Sequence, residues 1–163
     1  MWCSKMALAE TSTYPTLSCM LLPLNGTDVL LPKSIVKEVV FKPTIEAYDE
    51  EEDWLIGEIE WEDHVVPVIS FERVCNQARA AKSNHIRAVI CHVIENSEAF
   101  PLYAIEVQSM PRPLILDSRA LYNHDGMMSK SSELILHYVK IGSKELAIPN
   151  FQKLEEILLT RAS

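Results

Sequence analysis

Glycine is scarce: four in 163 residues, against 48% hydrophobic residues, which rules out a flexible low-complexity or disordered chain. Long apolar runs are missing too. Stretches such as Leu134 to Val139 fall far short of the ~20 residues that cross a bilayer as a helix, so no direct membrane insertion is expected. No Cys-x-x-Cys pair occurs. Cys3, Cys19, Cys75 and Cys91 lie far apart, without the spacing of a zinc or redox site. Cys91 falls in the mostly apolar segment Ile86 to Ile94, where a free thiol acts as a small core residue. The five histidines are scattered, so no Cys/His or Ser/His catalytic pair is supported beyond the residue types themselves. No metal and no cofactor is expected.

Positive charge is absent from one whole region. Between Glu46 and Asp63 there are ten acids and no Lys or Arg, so this segment carries −10. The whole chain carries −8, which leaves the remainder at +2. Nucleic acid is excluded as an expected partner, because phosphate binding needs a basic surface. Two readings of the acids stay open. One is a solvated loop, Tyr48 to Asp53, followed by a strand with a wet face. The other is an acidic contact surface for a basic partner, which speeds association and sets orientation more than affinity. An export signal is not expected either. Thr16-Leu17-Ser18-Cys19 has the look of a lipoprotein cleavage box, but the residues before it are polar and supply no apolar core. The expected location is the cytoplasm.

What the chain does have is β-structure. Trp54 to Phe71, WLIGEIEWEDHVVPVISF, reads as two strands joined by a tight polar turn. Side chains alternate along a strand, so Leu55, Gly57, Ile59 and Trp61 share one face. Ile56, Glu58, Glu60 and Glu62 share the other, with carboxylates ~7 Å apart. Paired carboxylates suggest a glycosidase, but that chemistry needs them to flank a pocket that raises one pKa. A row of three acids on one strand face reads as an exposed edge instead.

The remaining pattern agrees with this. Met1 to about Thr16 reads as a flexible arm. Leu17 to Leu24 and Thr27 to Leu31 are strands about the turn Asn25-Gly26. Ile35, Val36, Val39 and Val40 fit either a helical turn or a bent strand. Phe71 to Cys75 is a short helical turn, and Asn76 to Asn84 is a linker between two lobes, about 17–75 and 85–163. Arg87 to Ile94 and Leu102 to Val107 are strands, with a turn at Glu95 to Glu98. Met110-Pro111-Arg112-Pro113 breaks the chain, and its prolines exclude a central strand. Ser118 to Ser132 is a polar connection. Leu134 to Ile141 and Glu145 to Ile148 form a last hairpin about Gly142-Ser143. Asn150 caps a terminal helix with Phe151, Leu154, Ile157 and Leu158 as its apolar stripe. Many short strands and one clear helix predict a mainly β fold of two small packed barrels. No internal repeat is exact.

Three segments carry a family resemblance. The opening, Met20-Leu21-Leu22-Pro23-Leu24 with Asn25-Gly26, Val29-Leu30-Leu31-Pro32 and Val36-Lys37-Glu38-Val39, is similar to the first strand pair of the CheW-like family of chemotaxis adaptors. Ile56-Gly57-Glu58-Ile59 with Val65-Val66-Pro67-Val68-Ile69 resembles that family's central hairpin. Ala147-Ile148-Pro149-Asn150-Phe151-Gln152-Lys153-Leu154 resembles its strand-to-helix exit. The match covers roughly Leu17 to Leu158. Two departures stand out. The family usually places Arg-Gly at the central hairpin tip, where this chain has Glu62-Asp63. The family also tends to a Gly/Asp-rich strand where this chain has Leu102-Tyr103-Ala104-Ile105-Glu106-Val107. Within the family, the chain most resembles the ChpC-type proteins of the pilus-linked pathway that governs twitching motility.

The resemblance implies a single non-catalytic CheW-like domain with a C-terminal helix. It would couple methyl-accepting chemoreceptors to a CheA-like histidine kinase through exposed strand edges or apolar grooves. Expected contacts are Val36, Glu38 and Val39, with Gly57, Glu60, Glu62 and Asp63 on the central hairpin. For Val36 and Val39 plain core packing is the competing expectation, and for Gly57 relief of crowding in a twisted strand. Two other functions remain in view: a small hydrolase using Glu58 and Glu60, and a small-ligand sensor with a sealed apolar cavity between its lobes.

Overall fold

The computed structural model describes residues 15–24, 28–48, 54–74, 86–95, 101–117 and 133–162. The expected arm (save Pro15 and Thr16), the expected turn at Asn25-Gly26, the acids 49–53, the expected linker 76–84 and the expected connection 118–132 lie outside them. The described chain is mainly β. The first strands are β1 (Thr16–Leu22), β2 (Asp28–Pro32) and, after a 3-10 turn at Lys33–Ile35, β3 (Val36–Phe41). Next come β4 (Glu46–Ala47), β5 (Leu55–Trp61), β6 (His64–Ile69) and the short helix α1 (Phe71–Val74). The second half contributes β7 (Arg87–His92), β8 (Leu102–Val107), β9 (Arg112–Asp117), β10 (Ile135–Ile141), β11 (Lys144–Pro149) and helix α2 (Phe151–Ala162). The open reading at Ile35 to Val40 resolves into both forms: Ile35 ends the 3-10 turn and Val36 begins a strand.

The strands form two sheets, ordered β10-β11-β2-β1-β9 and β3-β7-β8-β6-β5-β4. Each has one parallel neighbour pair, β11 with β2 and β6 with β8, and is otherwise antiparallel. This corrects the expected lobes at 17–75 and 85–163. β9, β10 and β11 from the second half join β1 and β2, while β7 and β8 join β3 to β6. The cause is long-range pairing, Leu17 with Leu116 and Val39 with Val89, which local periodicity does not encode. The structure also makes a strand of β9, where the sequence reads as a break. β9 is an edge strand, where alternate N–H groups face away from the neighbouring strand, so proline is tolerated there as it would not be in a strand paired on both sides.

Three apolar clusters hold this arrangement. Inside the five-stranded sheet, Cys19, Leu21, Leu30, Leu116, Val139 and Leu146 pack together. Because Leu116 lies on edge strand β9 and Val139 on edge strand β10, the sheet curls until its edges share one core, a small barrel-like lobe. Ile59, Val66, Val68, Ile90 and Ala104 fill the second lobe. The largest cluster lies between the sheets and under α2, with Leu22, Leu31, Ile69, Phe71, Tyr103 and Leu154 at its centre. Each such fully buried apolar side chain contributes roughly 1.5–3 kcal/mol. Strand β8 passes between two clusters and is buried along its whole length, so it reads as near-continuous hydrophobicity broken by the buried Glu106.

Helix α2 is fixed at its start and along one face. Asn150 Oδ1 accepts a hydrogen bond from the Lys153 N–H at 3.2 Å, the expected cap. Leu154 and Leu158 are buried, with Phe151 and Ile157 beside them. Glu155, also buried, accepts the backbone N–H groups of Ile94 at 2.7 Å and Glu95 at 2.9 Å. One carboxylate thus pins the helix to the end of β7.

Candidate partner-binding surface

The central hairpin comes from strong local rules. β5 and β6 pair Glu60 with Val65 and Trp61 with His64, leaving Glu62 and Asp63 as a two-residue turn. Both turn residues are left-handed, with φ of 43° and 64°, the backbone that matches strand twist in a tight hairpin. The Nδ1–H of His64 donates to the Glu62 carbonyl at 2.9 Å and braces the turn. Glu60, Glu62 and Asp63 are exposed. The tip is therefore a rigid, negatively charged projection.

Glu38 belongs with this tip although 23 residues separate it from Trp61 in sequence. The Trp61 indole N–H donates to Glu38 Oε2 at 2.6 Å, and the Lys37 ammonium sits 5.5 Å from the ring centroid. β3 is an edge of its sheet and β5 lies next to the other edge, so this contact nearly closes the lobe. On the outer face of the hairpin, Glu46, Glu58, Glu60 and Val65 border an open groove of about 380 Å³. Val65 is 60% exposed among those carboxylates. The Tyr48 hydroxyl donates to Glu58 Oε2 at 2.8 Å. Burial, and then that carboxylate, push the Tyr48 pKa up to about 12.

The other expected contacts lie elsewhere. A register shift between Val36 and Glu38 marks a bulge in β3. It lets Val36 and Val39 both pack, half-buried, against the cluster between the sheets, the core packing set against a contact role above. Gly57 is buried under β4. A Cβ there would stand 2.3 Å from the Glu46 carbonyl oxygen and 2.9 Å from Ile45 Cγ2. The close approach that Gly57 permits is made by this chain's own backbone, so we correct its role from partner contact to strand packing. Sequence reasoning missed Trp61, Lys37 and Val65 as surface residues. Val65 was legible: a two-residue turn at 62–63 forces it to share the face of Glu60.

Residues 18–156 match the CheW-like domain family. The chain belongs to it. The crystal structure of the scaffolding protein TtCheW from Thermoanaerobacter tengcongensis is similar, with a TM-score of 0.69 and 16% identity. The alignment covers 83% of this chain and 90% of that one, and at this identity it speaks for the fold. Among curated proteins, no sequence relative matches. A CheW-like chain is a non-catalytic adaptor of chemotaxis signalling, so Glu58 and Glu60 are surface acids and the hydrolase reading is set aside. The sensor reading asks for a cavity between the lobes, where this CheW-like domain instead packs Leu22, Leu31, Ile69 and Tyr103. No helix of the described residues is long and apolar enough to cross a membrane.

Proposed function

We infer that this chain couples methyl-accepting chemoreceptors to a CheA-like histidine kinase in the cytoplasm, within the pilus-linked system that drives twitching motility. The observation that carries the reading is the acidic hairpin tip, Glu60, Glu62 and Asp63, tied through Trp61 to Glu38. An acidic projection favours a partner with a basic face and fixes the orientation in which the two dock. The family's usual Arg-Gly at this tip would favour the opposite charge, so the reversal suits a dedicated kinase and receptor set, as a ChpC-type protein requires. Val36 and Val39 support the β3 edge from beneath, while Lys37, Glu38 and Phe41 face solvent.

The test is reconstitution with purified components. The chain, a pilus-system kinase and the cytoplasmic fragment of its receptor should co-elute as a ternary complex. Replacing that kinase with one from a flagellar system should abolish co-elution. Equal recovery with both kinases would remove the pathway assignment.

A further inference from the structure

The open end of the five-stranded lobe carries a cleft chemically different from the acidic hairpin. Along β9 the inward-facing row is Arg112, Leu114, Leu116, and along β11 it is Lys144, Leu146, Ile148. In both rows the residue at the mouth is a cation, where the rows behind it are apolar. Together with Leu21 and Ile141, these residues line a cleft of about 340 Å³, within the range of small-molecule sites. Its floor is aliphatic: Leu21, Leu114, Ile141 and Leu146. Lys144 lies 3.5 Å from Asp28, whose carboxylate also accepts the Leu24 N–H, so this lysine is partly neutralised. Arg112 is exposed and has no ion-pair partner among the described residues.

We propose that this cleft binds an aliphatic carboxylate, with its hydrocarbon chain on Leu21, Leu114, Ile141 and Leu146 and its anion at Arg112 and Lys144. Two features favour this occupant. A basic rim on a chain of net charge −8 is a local reversal that selects anions. A guanidinium beside an apolar floor suits a carboxylate on a hydrocarbon tail, because the fork donates to both oxygens at once. The consequence is mechanical. β9 and β10 are the two edges of this sheet, and a bound chain would bridge Leu114 on one to Ile141 on the other. Occupancy would therefore stiffen the open side of the lobe. This site is independent of the acidic hairpin, so either proposal can fail alone.

The experiment is methyl NMR of the 163-residue chain titrated with sodium decanoate below its micelle concentration. Saturable shifts should appear at the methyls of Leu21, Leu114, Ile141 and Leu146, and decyltrimethylammonium should not produce them. Arg112→Gln should weaken binding about tenfold, the scale of one lost charge-assisted contact, and Lys144→Gln should weaken it less. Both positions are exposed, so a thermal melt of each variant verifies the fold. Absence of shifts at those methyls, or equal shifts with the cationic amphiphile, would overturn the proposal. So would binding to anionic vesicles with no response to free decanoate, which would make the site a membrane contact.

Discussion

The Trp61 indole N–H and the Glu38 carboxylate, 2.6 Å apart, join two strands on opposite sides of one sheet. The contact holds the acidic tip in a fixed position against β3, so charge and shape are presented together. Trp61→Phe keeps most of the ring and removes the bond. It should lower stability by about 1 kcal/mol in urea unfolding. Hydrogen exchange should show β3 opening more easily in the variant. Unchanged exchange along β3 would mean that the bond does not join the two edges.

Gly57 gives a sharper case. Gly57→Ala drives a methyl group into the Glu46 carbonyl, and backbone cannot swing aside as a side chain can. We expect a loss of about 2 kcal/mol or more, with the pairing of Ala47 to Gly57 broken. Full stability with lost partner binding would restore Gly57 as a contact.

Tyr103 is fully buried, and its hydroxyl has no hydrogen-bond partner among the described residues. Tyr103→Phe should therefore be neutral or stabilising at pH 7, by up to about 1 kcal/mol. Burial pushes the pKa of Tyr103 and of Cys91 up in the folded protein. A raised folded pKa gives stability that is complete below the unfolded value and is lost as pH rises toward the folded one. Unfolded Cys and Tyr titrate near about 8.5 and 10, so stability should fall above about pH 9, less steeply in Tyr103→Phe. Urea midpoints from pH 7 to 11 measure this; parallel curves for the two proteins would contradict it.

Asp63 holds a left-handed backbone with φ of 64° at the hairpin tip. Asp63→Gly removes that strain and should stabilise the protein by about 0.5–1 kcal/mol, read from the thermal midpoint. A lower midpoint would show that the Asp63 side chain makes a compensating contact.

How far the sequence reveals this molecule depends on the range of the interaction. The central hairpin, the last hairpin about Gly142-Ser143 and helix α2 with its Asn150 cap all follow from residues within a few positions of one another. Gly142, at the tip of that hairpin, has a left-handed φ of 62°. The pairings that build the sheets do not follow. β1 meets β9 and β3 meets β7 across tens of residues, and nothing in their alternation names the neighbour. β9 was hidden by Pro113, since proline signals a break unless the strand is known to be an edge. The surface divides in the same way. The acids of the tip are visible in composition, whereas Glu38 joins them only through Trp61, a bond created by folding. Arg112 and Lys144 meet only because β9 and β11 enter one sheet.

The proposed coupling role requires the acidic tip to be a docking surface for a signalling kinase. The direct measurement is the affinity of the pilus-system kinase's regulatory domain for the native chain and for Glu62→Arg, by calorimetry, with thermal melts of both. Affinity should fall about tenfold in Glu62→Arg, a change of ~1.4 kcal/mol, while the melting temperature stays within a degree or two. Equal affinity for the two proteins would contradict it.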